Sequence, residues 1–124
     1  MADSSFSYTS IFRGKTLMVV IPYEDDEINV AGSTIHGAIL EGVHVICVFS
    51  TWGDDLYTPD IRRREAVKAL KTLGVKEDDV IFLGYPDGGR YGESDPYIYG
   101  LNEPITVRGR HETYGTKAAP DFCM

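Results

Sequence analysis

The sequence predicts an α/β domain built on a mostly parallel sheet, and three observations carry that prediction. Three short apolar runs, 16–21, 43–49 and 80–83, are rich in β-branched residues and have the length of buried strands. Between them lie two stretches of helical length with apolar residues at helical spacing. A strand, a helix and a second strand at this spacing form a right-handed crossover, which makes the strands parallel.

The elements follow in order. Thr16 to Ile21 reads as the first strand, ended by Pro22. Residues 27–40 read as the first helix, with Asp25 or Asp26 as its amino-terminal cap and Gly42 as its stop. Ile28, Ala31, Ile35, Ala38 and Ile39 make its apolar stripe. Residues 43–49 form the second strand, and Ser50-Thr51-Trp52-Gly53-Asp54-Asp55 a polar loop after it. Thr58-Pro59-Asp60 opens the second helix, with Thr capping, Pro at the first helical position and Asp in the first turn; Gly74 ends it. Residues 80–83 form the third strand, followed by the loop Gly84-Tyr85-Pro86-Asp87-Gly88-Gly89.

From Arg90 on, Gly, Pro, Tyr and charged residues alternate without period, which predicts loops and one short strand near Ile105-Thr106-Val107. The chain is therefore read as one domain over 1–124, irregular over 90–124, in which the sheet stops after its third βα unit. A sheet left this short of strands suggests the amino-terminal portion of a domain that continues past Met124. Its incomplete edge predicts self-association or marginal stability.

Composition narrows the function. A content of 43% hydrophobic and 25% charged residues is that of an ordinary soluble globular protein. A net charge of −7 makes nucleic acid and anionic membrane surfaces poor partners. No run is long and apolar enough to span a membrane, and residues 1–15 carry no secretory signal. Cys47 lies in an apolar strand and Cys123 beside the last residue, so nothing requires them to pair; a reduced, cytoplasmic setting is the default.

The run Pro22-Tyr23-Glu24-Asp25-Asp26-Glu27 directly follows the first strand. Acidic residues crowded there repel one another unless a cation or a helix amino terminus offsets them. The loops at 22–27, 50–55 and 84–89 all follow strands of a parallel sheet, so they share its carboxyl edge, where open α/β sheets place ligands. Arg62 precedes Ala66 by one helical turn, which puts it on the buried side marked by Ala66, Ala69, Leu70 and Leu73. It should point toward the acidic loops, while Arg63 and Arg64 turn more to solvent. It reads either as a binder of a substrate oxygen or carboxylate, or as an ion-pair partner of Glu65 or a loop Asp.

Several residues now point to a family. Gly14-Lys15-Thr16-Leu17-Met18-Val19-Val20-Ile21-Pro22, Asp25-Asp26-Glu27, Gly32, Gly42, Phe49-Ser50-Thr51, Gly53-Asp54, Glu65, Ala69, Leu73-Gly74 and Leu83-Gly84 resemble the LmbE/PIG-L de-N-acetylases. The resemblance covers residues 11–89 and, more weakly, 110–123. It implies a Rossmann-like three-layer sandwich and a zinc-dependent hydrolase that removes acetyl groups from N-acetylglucosamine-type sugar derivatives. The family motif is Pro-His-x-Asp-Asp-Glu, whose His and second Asp bind zinc and whose first Asp is the general base. Carried over by position, Asp25 is the catalytic base, Asp26 a metal ligand, and Tyr23 occupies the His ligand position. Asp87 falls where the family often has a polar residue near the substrate, and it joins Arg62, placed by helix geometry, as a candidate substrate binder. Asp87 also reads as a turn residue before two glycines, the simpler of its two readings, and Asp54 reads as a residue that holds its loop near Asp26.

Two departures define the alternatives. A phenol, which titrates near ~10, is a far weaker zinc ligand than imidazole. The family's later His-x-x-His is absent, and of His36, His44 and His111 only His111 lies in a region that could fold over the site. The implied cofactor is zinc and the implied partner an N-acetylated sugar derivative. The alternatives are a catalytically inactive relative that binds a sugar or a partner, and an oxygen-ligand site for Mg²⁺, Ca²⁺ or Mn²⁺ built from Glu24, Asp25, Asp26 and Asp54. A dinucleotide site is disfavoured, because acids stand where pyrophosphate needs glycines.

Overall fold

The computed structural model describes residues 6–51 and 59–85. The chain runs α1 (Tyr8–Phe12), β1 (Thr16–Ile21), α2 (Asp26–Asn29), α3 (Gly32–Leu40), β2 (His44–Thr51), α4 (Pro59–Leu73), a 3₁₀ turn (Glu77–Asp79) and β3 (Val80–Tyr85). The three strands form one sheet in the order β1-β2-β3, and both pairings are parallel. Thr16 to Ile21 pair in register with His44 to Phe49, and Cys47 and Phe49 pair with Val80 and Phe82. The fold is thus α/β with a parallel sheet, as the three apolar runs predict. No described helix is long and apolar enough to cross a membrane.

Strand alternation sets the core. Val45, Cys47 and Phe49 of β2 point to one face, where they meet Ile35 and Ala38 of α3 and Ala66 and Leu70 of α4. Phe49 and Phe82 stack there with ring centroids 4.8 Å apart. Two successive crossovers of the same hand in the order β1-β2-β3 put both helices on that face, so the described residues make two of the three layers expected. Cys47 is a buried free thiol, and burial pushes it up to about 11, which makes it inert packing rather than a nucleophile.

Three details depart from the sequence reading. β1 reads as fully buried, yet only Ile21 is; Val20 is 66% exposed, because β1 is the sheet edge among the described residues and its second face meets no described helix. The helix expected over 27–40 is two helices, α2 and α3, broken at Val30 and Ala31. Asn29, β-branched Val30 and Gly32 are all weak helix formers. The break shifts the helical phase, so Ile28 leaves the apolar stripe and is 46% exposed, while Ile35 and Ala38 stay fully buried. Finally, α1 falls in a stretch with no predicted structure. Tyr8 lies against Gly37, where an added Cβ would sit 2.5 Å from its ring. Glu41 clasps the same segment, accepting hydrogen bonds from Ser7 Oγ at 2.8 Å, Thr9 N at 2.8 Å and Thr9 Oγ1 at 2.6 Å.

Candidate functional site

The site forms where β1 ends. Pro22 has no N–H, but its carbonyl accepts from Thr51 N at 2.9 Å, Thr51 Oγ1 at 2.8 Å and Ser50 Oγ at 3.0 Å. These bonds tie the acidic loop to the carboxyl end of β2 and fix where the next residues start. The chain then turns sharply at Asp25, whose φ of 99° makes it the one non-glycine with positive φ among the described residues. α2 begins at once, and the Asp25 carbonyl accepts from Ile28 N and Asn29 N, both at 3.2 Å.

Asp25 stands at the amino-terminal cap position of α2, but its side chain does not cap. Its Oδ2 lies 2.6 Å from Arg62 Nη2 instead, and the same Arg62 nitrogen approaches the Glu24 carbonyl at 3.4 Å. Arg62 Nη1 is 3.8 Å from Glu65 Oε2, so both ion-pair partners considered for Arg62 are present, with the loop Asp much the closer. The Asp25 hydrogen bond, helped by its charge and by those of Glu65 and Glu24, pushes the guanidinium further up. Arg63, expected to turn to solvent, packs over the Phe82 ring at 4.9 Å.

The sequence assigns Glu27 no role of its own, and Glu24 one only in the alternative cation site. Both are 2% exposed. Glu27 Oε2 accepts the Asp25 N–H at 2.7 Å, and burial pushes its carboxyl above the usual carboxylate range against the pull of that bond. An acid just inside a helix start that reaches back to the cap N–H is the signal that could have found it.

A cleft of about 390 Å³ adjoins these groups, lined by Asp25, Glu27, Ile28, Glu65, Ala66 and Ala69 among others. A larger hollow of about 840 Å³ runs along α4 and β3 and shares none of those residues. The smaller cleft holds Asp25, Glu27 and Glu65, the first and last of them ion-pair partners of Arg62, and it is the chemically relevant one.

Tyr23 is 50% exposed at the mouth of the loop, and Asp26 is half-buried in the first turn of α2. His36 and His44 are engaged elsewhere: His36 Nδ1 with the Leu73 carbonyl at 3.3 Å, and His44 Nε2 with Asp79 at 2.9 Å. Asp54, Asp87 and His111 lie outside the described residues. Among the described residues no three His, Cys, Asp or Glu side chains come together as a metal would need. Zinc asks for three donors of nitrogen, sulfur or carboxylate type. A half-exposed phenol, a carboxylate held by Arg62 and one further Asp do not fit it.

The chain matches the family described as PIG-L, GlcNAc-PI de-N-acetylase, over residues 18–113. No curated protein and no solved structure matches it. The match spans most of the chain and takes in both Asp25 and Arg62, and on it the chain belongs to the PIG-L de-N-acetylase family.

Proposed function

We propose that the chain is a de-N-acetylase that hydrolyses the acetamide of an N-acetylated sugar derivative, with Asp25 as general base and Arg62 and Asp87 on the substrate. The observation that carries this reading is the 2.6 Å contact between Arg62 and Asp25 at the carboxyl end of β1, in a family described by that reaction. Asp25 is 61% exposed, so its carboxylate reaches water while Arg62 holds Oδ2. A water gives its proton to Asp25 as its oxygen bonds to the acetyl carbonyl carbon. The C–N bond then breaks, the proton passes to the departing nitrogen, and acetate and a free amino sugar result. Arg62 orients the carboxylate and offers its charge to the carbonyl oxygen as that oxygen turns negative. Zinc is the cofactor that the resemblance implies, with Asp26 and the Tyr23 position as its ligands. No step is assigned to it, because the described donors do not form a zinc site.

The test is acetate release from an N-acetylglucosamine derivative, with and without added zinc. Release that Asp25→Asn abolishes supports the reading; no acetate in either condition overturns it. A second reading is a sugar-binding relative without turnover, favoured by Tyr23 in the His position. Calorimetric binding of the same derivative with no acetate formed identifies it.

A further inference from the structure

We propose that Glu27 is a positioning residue, which holds the Asp25 backbone in its left-handed conformation and so aims the Asp25 carboxylate at Arg62. An L residue at a φ of 99° carries strain and persists only where its surroundings over-determine it. Those surroundings are visible on both sides of Asp25. Its carbonyl is taken by the N–H groups of Ile28 and Asn29, and its N–H by Glu27 Oε2 at 2.7 Å. With both backbone groups fixed, the direction of the Cα–Cβ bond is set, and from it the carboxylate meets Arg62 Nη2 2.6 Å away.

Glu27 is suited to this because it cannot drift. It is 2% exposed, a buried carboxyl at the start of α2. A buried polar group costs stability unless it is hydrogen-bonded, so an apolar side chain of the same size would be the easier occupant if packing were the only requirement. A carboxylate kept there has a partner to hold, and that partner is the Asp25 N–H. What the pose is used for rests on the hydrolytic reading above; that Glu27 sets the pose does not.

The experiment compares wild type with Glu27→Gln, which keeps an acceptor oxygen, and Glu27→Met, which keeps the length and removes it. The readouts are the amide–Hα NOE within Asp25, strong for a left-handed residue, and hydrogen exchange of the Asp25 amide and the Arg62 guanidinium. Wild type and Glu27→Gln should show the strong NOE and slowed exchange. Glu27→Met should lose both, with exchange at Asp25 at least about tenfold faster, while β2 amides keep their protection. Retention of the NOE and of Arg62 protection in Glu27→Met overturns the proposal, as does an equal loss in Glu27→Gln. Should Glu27→Met not fold, Asp25→Gly is added, since glycine needs no help to hold a positive φ. Recovery of folding in the double variant supports the proposal, and continued unfolding overturns it. In acetate release, Glu27→Met should lower kcat with little change in KM, and Glu27→Gln should restore it; an unchanged kcat beside an altered NOE overturns the functional half. A wild type that releases no acetate overturns the hydrolytic reading alone, and the NMR comparison still decides the role of Glu27.

Discussion

Arg62 Nη2 lies 2.6 Å from Asp25 Oδ2 and joins the first turns of α4 to the loop that leaves β1. The contact looks strong by distance, yet the Asp25 side chain is 61% exposed and water screens the pair. Arg62→Gln should therefore cost less than about 1 kcal/mol of stability. The same substitution should lower acetate release by about a hundredfold or more, since it removes both the alignment of the base and the charge facing the oxyanion. Thermal melts and kcat/KM on one protein preparation check both halves, and a variant that loses stability and activity in parallel contradicts the assignment.

Tyr23 decides how the site meets a metal. By the resemblance it stands where the family has a His ligand; it is half-exposed, and among the described residues no three His, Cys, Asp or Glu side chains come together around it. Tyr23→His should tighten zinc binding by about tenfold or more, since imidazole is the better donor at neutral pH. Zinc titration by calorimetry on wild type and variant measures it. An unchanged affinity places the larger defect in the third donor, which no cluster among the described residues supplies.

Much of the fold was legible because apolar runs and punctuation do not depend on tertiary context. The runs at 16–21, 43–49 and 80–83 became β1, β2 and β3, and Gly42 and Gly74 end their helices at φ of 78° and 100°. Half of the site was legible on the same terms. The acidic loop follows from a strand ending at Pro22, and the side of α4 that Arg62 occupies follows from its place one turn before Ala66. The rest depends on states that residue types do not announce. Asp25 gives no sign that it will adopt a positive φ, so the acid pattern at the helix start could point to Glu27 as a partner of the cap N–H but not to the strain that it offsets. The break at Val30 and Ala31 is a weak propensity effect inside an otherwise helical pattern, and Ile28, on the far side of it, lies outside the core.

Tyr8 depends on the smallness of Gly37. An added Cβ would stand 2.5 Å from Tyr8 Cε2 and 3.2 Å from Cζ, so Gly37→Ala must displace the ring and loosen α1. The expected cost is about 1–3 kcal/mol. Alanine is otherwise the better helix residue by about 1 kcal/mol, so in a Tyr8→Ala background the same change should become neutral or stabilising. Urea unfolding of the four proteins in the cycle measures the coupling, and equal costs in both backgrounds would show that the ring does not feel position 37.

Glu41 gives the amino-terminal segment a pH dependence of known sign. Hydrogen bonds from the Thr9 hydroxyl, the Thr9 N–H and the Ser7 hydroxyl, in that order, lower its carboxyl from 4.5 to about 2. A carboxyl whose folded pKa lies below its unfolded one contributes stability that is fully present above the unfolded value. That contribution fades as pH falls from 4.5 toward about 2, where the folded carboxyl takes up its proton and the clasp on Ser7 and Thr9 is lost. Loosening should appear first at Tyr8, because α1 is held by this clasp and by its seat on Gly37. Tyr8 ring resonances followed by NMR through that window should shift in wild type. In Glu41→Gln the ring should be looser at neutral pH and nearly indifferent to acid. Identical acid titrations of the Tyr8 ring in the two proteins would remove Glu41 from the account of how α1 is held.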